Sequence, residues 1–151
     1  MIKTLVSSEH VTDEALDRFW ETVPPLWSNI RAHIRAVATQ EYSISIEQFQ
    51  ILRLIRSGRG SVSELALAKN ISRPAISQAV DALVRKGLLT RTPDAEDRRH
   101  IQLALTPSGN ALLDALFQNT RSWMRAKLSS FSRGELENVI RAMESLKKML
   151  D

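Results

Sequence analysis

Arginine, glutamine and serine side chains recur between Ser61 and Thr106 in an order that suits contact with nucleic acid. Arg73, Ala75, Ser77, Gln78 and Arg85 fall outside the apolar stripe Ile76, Val80, Leu83 and Val84 of one short helical pattern. A guanidinium in this setting can donate two parallel hydrogen bonds to guanine, a carboxamide can pair with adenine, and the small apolar groups of Pro74 and Ala75 fit a thymine methyl. Ser72 and Ser77 are candidates for phosphate or base contact, and Ser61 and Ser63, at the start of the preceding helical pattern, suit phosphate positioning. Helix capping accounts for Ser61 and Ser72 at least as well, and the two roles are compatible.

The elements that position these side chains can be read on either side. Ser61-Val62-Ser63-Glu64 has the S-x-x-E form of a capping box and opens a helix that ends near Lys69-Asn70, with Leu65, Ala66 and Ala68 inward. Ile71 packs the turn, Ser72 caps the next helix, Pro74 lies in its first turn where an N–H is not needed, and Gly87 stops it after Lys86. Two β-like runs, Leu88–Arg91 and His100–Leu105, follow around a charged tip. The order helix, turn, helix, strand, loop, strand predicts a winged helix-turn-helix.

Ahead of it, Ile44–Arg56 places Phe49, Leu52 and Ile55 on one helical face, with Ser45 and Glu47 near its start and Ser57-Gly58 at its end. Before that, Asp13–Thr39 carries an apolar stripe with Thr12 as a plausible N-cap, and Pro24-Pro25 predicts a kink or two separate helices. After the wing, Thr106-Pro107 opens a helix, and Ser132-Arg133-Gly134-Glu135 is another capping box before the last one. The expected fold is therefore mainly α with a small β wing: an N-terminal helical arm (1–44), a winged helix-turn-helix DNA-binding domain (45–106) and C-terminal helices (107–151). The outer helices carry more apolar face than the middle segment can cover, which predicts dimerisation of two copies through the arm and the C-terminal helices.

Composition narrows the classes. The chain has 151 residues, enough for one well-cored domain, and no cysteine, which excludes disulfides, thiolate metal ligands and a cysteine nucleophile. Ten basic and five acidic side chains lie between Leu52 and His100, against eleven and twelve in the remainder, so the basic charge is concentrated where phosphate contact is expected. No apolar run approaches the roughly 18 residues of a membrane span and no leader pattern opens the chain, so the expectation is a cytoplasmic protein without a membrane partner. His10, His33 and His100 are dispersed, no Gly-rich phosphate loop occurs, and Asp94, Glu96 and Asp97 read as a solvated turn beside arginines. We expect no metal, no cofactor and no enzyme activity.

Taken together, several pieces resemble the MarR family of transcriptional regulators. They are Gln48 with Ile51-Leu52, Val62–Ala66, Ile71-Ser72, Ile76-Ser77 with Val80-Asp81 and Leu83, Lys86-Gly87-Leu88, Arg91, Asp97-Arg98-Arg99, and Leu105-Thr106 with Gly109. Their joint order across residues 48–109 is the specific part; the outer helices match only in length, placement and striping. The resemblance implies a homodimeric repressor on double-stranded DNA with a pseudo-palindromic operator. It also implies that Arg98 or Arg99 reaches a minor groove while Asp97 braces the wing tip. Members of the family bind small aromatic or anionic effectors beside the dimer helices, for which Trp20, Trp27, Arg31, His33 and Phe49 are the candidate lining here. Pro74 departs from the polar residue common at its position. The alternative class is a protein-interaction module on the same fold, without DNA binding.

Overall fold

The computed structural model describes residues 2–93 and 101–150. Its elements are α1 (Ile2–Tyr42), α2 (Ile46–Arg56), α3 (Val62–Lys69), α4 (Arg73–Arg85), β1 (Leu89–Pro93), β2 (Ile101–Leu105), α5 (Pro107–Leu128) and α6 (Arg133–Lys147). The chain divides into two compact units, residues 1–116 and 117–151, with α5 beginning in the first and ending in the second.

Local chemistry sets the element boundaries. Ser45 accepts the Gln48 N–H at 3.1 Å while the Gln48 side chain accepts the Ser45 N–H at 3.0 Å, closing a capping box on α2. Ser61 and Glu64 do the same for α3 at 3.2 and 3.0 Å. Asn70 ends α3 in the left-handed region at φ 52°, which a short polar side chain tolerates. Ser72 caps α4 by accepting the Ala75 N–H at 3.4 Å, and Gly87 leaves the helix at φ +70°.

The core of the first unit is where these elements meet. Leu52 of α2, Leu65 of α3, and Ile76, Val80 and Leu83 of α4 are fully buried, joined by Ala38 and Ile44 near the end of α1 and by Leu113 and Leu116 of α5. Strands β1 and β2 pair antiparallel in the register Leu89↔Leu105 to Pro93↔Ile101, and the Leu103 N–H donates to Gly60 O at 2.7 Å on the other edge of β2. Leu103 faces the core while Gln102 and Ala104 are exposed, as expected for a half-buried strand.

Four expectations are corrected. Thr12 lies inside α1 rather than capping it, and Pro24-Pro25 lie inside the same helix rather than dividing it in two. The carbonyls that lose a donor belong to residues 20 and 21, on a stretch where Trp20, Glu21, Pro24 and Pro25 are all exposed, so water can satisfy them. Ala68 is exposed, because the side of α3 that buries Leu65 and Ala66 leaves Ala68 about 110° away around the helix. Ile71 is 42% exposed. The turn is closed instead by the backbone, with the Ile71 N–H donating to Ala66 O at 3.2 Å.

The second unit contains the end of α5 and all of α6. The Ser132–Glu135 capping box opens α6, and the N–H and hydroxyl of Ser132 hold the Glu135 carboxyl below its ordinary range. The Lys127 ammonium sits 5.1 Å from the centre of the Trp123 ring. Phe117, Ile140 and Met143 remain more than half exposed.

The junction between wing and α5 is tied by one hydroxyl. Thr106 Oγ1 donates to Gly87 O at 2.6 Å and accepts the Gly109 N–H at 3.0 Å, while the Thr106 N–H donates to Leu88 O at 3.1 Å. A Cβ on Gly109 would lie 2.2 Å from Leu88 O, a backbone atom held by that hydrogen bond. Gly109→Ala should therefore destabilise the fold by about 1–3 kcal/mol or more, as overpacking does. Thermal unfolding of the variant beside Gly134→Ala, which meets open space, checks this.

Candidate nucleic-acid interface

Helix α4 buries Ile76, Val80 and Leu83, and this fixes what it presents to solvent. Ser72, Arg73, Pro74, Ala75 and Gln78 are exposed at its start and Arg85 at its end. No acidic residue lies in its first turn, so nothing there repels an anion approaching the positive end of the helix. Neither Arg73 nor Arg85 pairs with a carboxylate among the described residues, and α4 exposes no large apolar side chain. Pro74 stands in the first turn, where its ring projects from the helix start and its missing N–H costs no intrahelical bond.

The flanking candidates have visible structural duties. Ser61 is half-buried and occupied in the α3 capping box, its hydroxyl also donating to Glu64 Oε2 at 3.0 Å. Ser63, in the first turn of the same helix, is exposed. Ser77 is half-buried, and its hydroxyl and carbonyl both lie 3.5 Å from Nη2 of Arg91, the outer limit of a hydrogen bond. That same Nη2 lies 2.9 Å from Asp81 Oδ1, so Arg91 of β1 braces the wing strand against the middle of α4. Its Nε is buried without a partner among the described residues.

Arg91 thus has a role that residue type and spacing did not reveal. The available signal was weak: Ser77 and Asp81 stand four apart on α4, but which strand residue faces them depends on how the sheet docks. The expected brace Asp97 and the expected groove contacts Arg98 and Arg99 lie outside the described residues.

The candidate effector residues are not brought together as one set. Trp27 and Arg31 line a common groove on α1 with Pro24, Ser28 and Arg35. Trp20 is 68% exposed and packs edge-on against Phe19 at 5.7 Å. His33 is half-buried on α1 outside that groove's lining. Phe49 is a core residue, 8% exposed, with the Arg53 guanidinium 5.8 Å from its ring centre. Among the described residues no group of three or more His, Cys, Asp or Glu could hold a metal ion, and no helix is long and apolar enough to cross a membrane.

The sequence profile of the MarR family matches residues 44–101, from the last core residue before α2 to the start of β2. A protein assigned to transcriptional regulation of the hcr operon in Thauera aromatica is 31% identical over 120 residues, covering 75% of this chain and 70% of its own length. The HTH-type transcriptional repressor NicR of Pseudomonas putida is 33% identical over 105 residues, covering 69% of this chain and 65% of NicR. The crystal structure of the transcriptional regulator Tm0710 from Thermotoga maritima superposes with a TM-score of 0.80 at 21% identity, over 89% of this chain and 94% of that one.

The Arg91–Asp81 pair is only partly buried, with side-chain exposures of 30% and 46%, so solvent screens much of its Coulomb energy. A double-mutant cycle of Arg91→Ala and Asp81→Ala should give a coupling energy of about 0.5–1 kcal/mol. Denaturant unfolding of the two single variants and the double variant measures it; additive losses would show that the pair is not a brace.

Proposed function

The chain belongs to the MarR family of transcriptional regulators, and from that premise we propose that it is a sequence-specific DNA-binding repressor acting as a homodimer. Residues 45–106 are the DNA-binding domain in this reading, and the arm (1–44) with the C-terminal helices (107–151) is the dimerisation region. The observation that carries it is the start of α4: Arg73, Pro74, Ala75 and Gln78 are exposed together, with no acid in the turn and no large apolar group on the helix surface. Such a face complements base edges and phosphate and offers a protein groove nothing to hold. NicR, named as a repressor, supports the sign of regulation.

In this reading Ser61, Ser63 and Ser72 position the backbone, Ser77 approaches the duplex beside Arg91, and Arg85 adds phosphate contact. Arg98 and Arg99 enter a minor groove, with Asp97 bracing the tip. Two-fold symmetry spaces the two α4 helices about one helical turn apart on a pseudo-palindrome. The apolar faces left uncovered within each unit, Val11, Trp20 and Trp27 in one and Phe117, Ile140 and Met143 in the other, support pairing of two copies. An aromatic or anionic effector would relieve repression by binding one state of the dimer more tightly, and the Trp27–Arg31 groove is the favoured place for it. A cytoplasmic location follows from this role.

A second reading draws on Leu67, 85% exposed, and Ile71, 42% exposed, which could anchor a protein partner without any DNA binding. Both stand on α3 and the turn rather than on the polar face of α4.

Duplex fragments selected by the wild-type chain from pooled genomic DNA provide the test. Arg73→Ala and Gln78→Ala should each lose about 1–3 kcal/mol of binding to the selected fragment and much less to random duplex. Equal losses on both would remove these side chains from base reading, and failure of the wild type to retain any fragment in low salt would favour the protein-interaction module. Sedimentation should give a dimer at micromolar concentration, with Trp20→Glu or Ile140→Glu shifting it toward monomer while far-ultraviolet circular dichroism is unchanged. A monomeric wild type would overturn the two-fold picture.

A further inference from the structure

We propose that the first unit carries an oxyanion-binding groove for a phosphate-class group, separate from the face of α4 and from the Trp27–Arg31 groove. It is a concavity of about 560 Å³ bounded by the second half of α2, the turn after it and the end of α3. Gln50, Arg53, Leu54, Ser57, Arg59 and Lys69 line it, and its lining contains three cations and no carboxylate.

The partners of those cations carry the inference. Arg56, on the same helix, has a carboxylate: its Nη1 lies 2.6 Å from Asp114 Oδ1. Arg53, Arg59 and Lys69 form no ion pair with a described residue. Each instead touches a neutral group. The Lys69 ammonium donates to Gln50 Oε1, Arg59 Nη1 donates to Ser57 Oγ at 3.3 Å, and the Arg53 guanidinium lies over the Phe49 ring. Glu64, the acid closest in sequence to Lys69, is engaged in the α3 capping box.

Attraction of cations to helix C-termini places Arg53 in the last turn of α2 and Lys69 in that of α3, but it supplies only partial negative charge. Three full positive charges collected in one concavity repel one another, and a bound anion of two or more charges reverses that repulsion. Guanidinium forks and an ammonium are the donors that phosphate oxygens accept from, while the Ser57 hydroxyl already donates to Leu54 O at 2.8 Å.

The phosphate can belong to a free phosphorylated small molecule or to a DNA backbone, and two measurements separate these sources. Inorganic pyrophosphate titrated calorimetrically into the full chain without DNA should bind, and Arg59→Gln/Lys69→Gln should weaken it by about tenfold or more, as expected when two charge-assisted hydrogen bonds are lost. Arg133→Gln, on α6 and paired with Glu137, should leave pyrophosphate affinity unchanged. Circular dichroism confirms that the double variant is folded, and Arg59→Lys/Lys69→Arg, which keeps both charges, should recover binding. If the salt slope of duplex binding is unchanged in the double variant, the occupant is a free anion. A slope reduced by about two units would assign the groove to backbone phosphate. Equal pyrophosphate affinity in wild type and double variant, or no measurable binding by the wild type, would overturn the proposal whatever the outcome with DNA.

Discussion

Burial of one side of α4 is the constraint on which the rest of the first unit depends. The helix has thirteen residues, α2 has eleven and α3 has eight, all too short to persist alone in water. What holds α4 is complete burial of Ile76, Val80 and Leu83 against Leu52, Leu65 and their neighbours, each such side chain contributing about 1.5–3 kcal/mol. Because those three positions repeat with helical spacing, fixing them fixes the rotation of the helix about its axis. Arg73, Pro74, Ala75 and Gln78 are exposed as a consequence.

Polar interactions then set where each element begins and how neighbouring elements meet. Capping boxes at Ser45, Ser61 and Ser132 satisfy N–H groups that a helix start leaves unpaired. Thr106 links Gly87, Leu88 and Gly109 in one small network, so the end of α4, the entry to β1 and the start of α5 share a fixed point. Arg91 adds a second link from β1 to Asp81 and Ser77. Side-chain contacts thus join β1 to the middle of α4.

The charge distribution has a similar logic. Arg56 is neutralised by Asp114, and Arg91 by Asp81, at places where elements must be joined. Arg73 and Arg85 on α4, and Arg53, Arg59 and Lys69 beside α2, lack such a carboxylate among the described residues.

Much of the fold was legible because the signals are local. A serine three residues before Glu64 or Glu135, a glycine at position 87 and a threonine before Pro107 act within one turn of chain, so residue type and spacing decide the outcome. Ser45 was placed near the start of α2, and Gln48 completes its box. The family resemblance was carried by residues of the same region, including Thr106 and Gly109, whose joint role is now physical. Of the two outcomes Pro24-Pro25 allows, division into two helices does not occur, because an exposed helix side lets water satisfy the freed carbonyls of a longer helix. Ala68 and Ile71 misled because apolar character does not say which way an eight-residue helix turns. Arg91 as brace and the three cations of one groove depend on contacts between residues distant in the chain. The sequence by itself determined where the helices after α1 start and which faces are apolar, since those follow from interactions three or four residues apart. Only the tertiary structure decided which polar side chains pair and which stay open to a partner, because that depends on how separately formed faces dock.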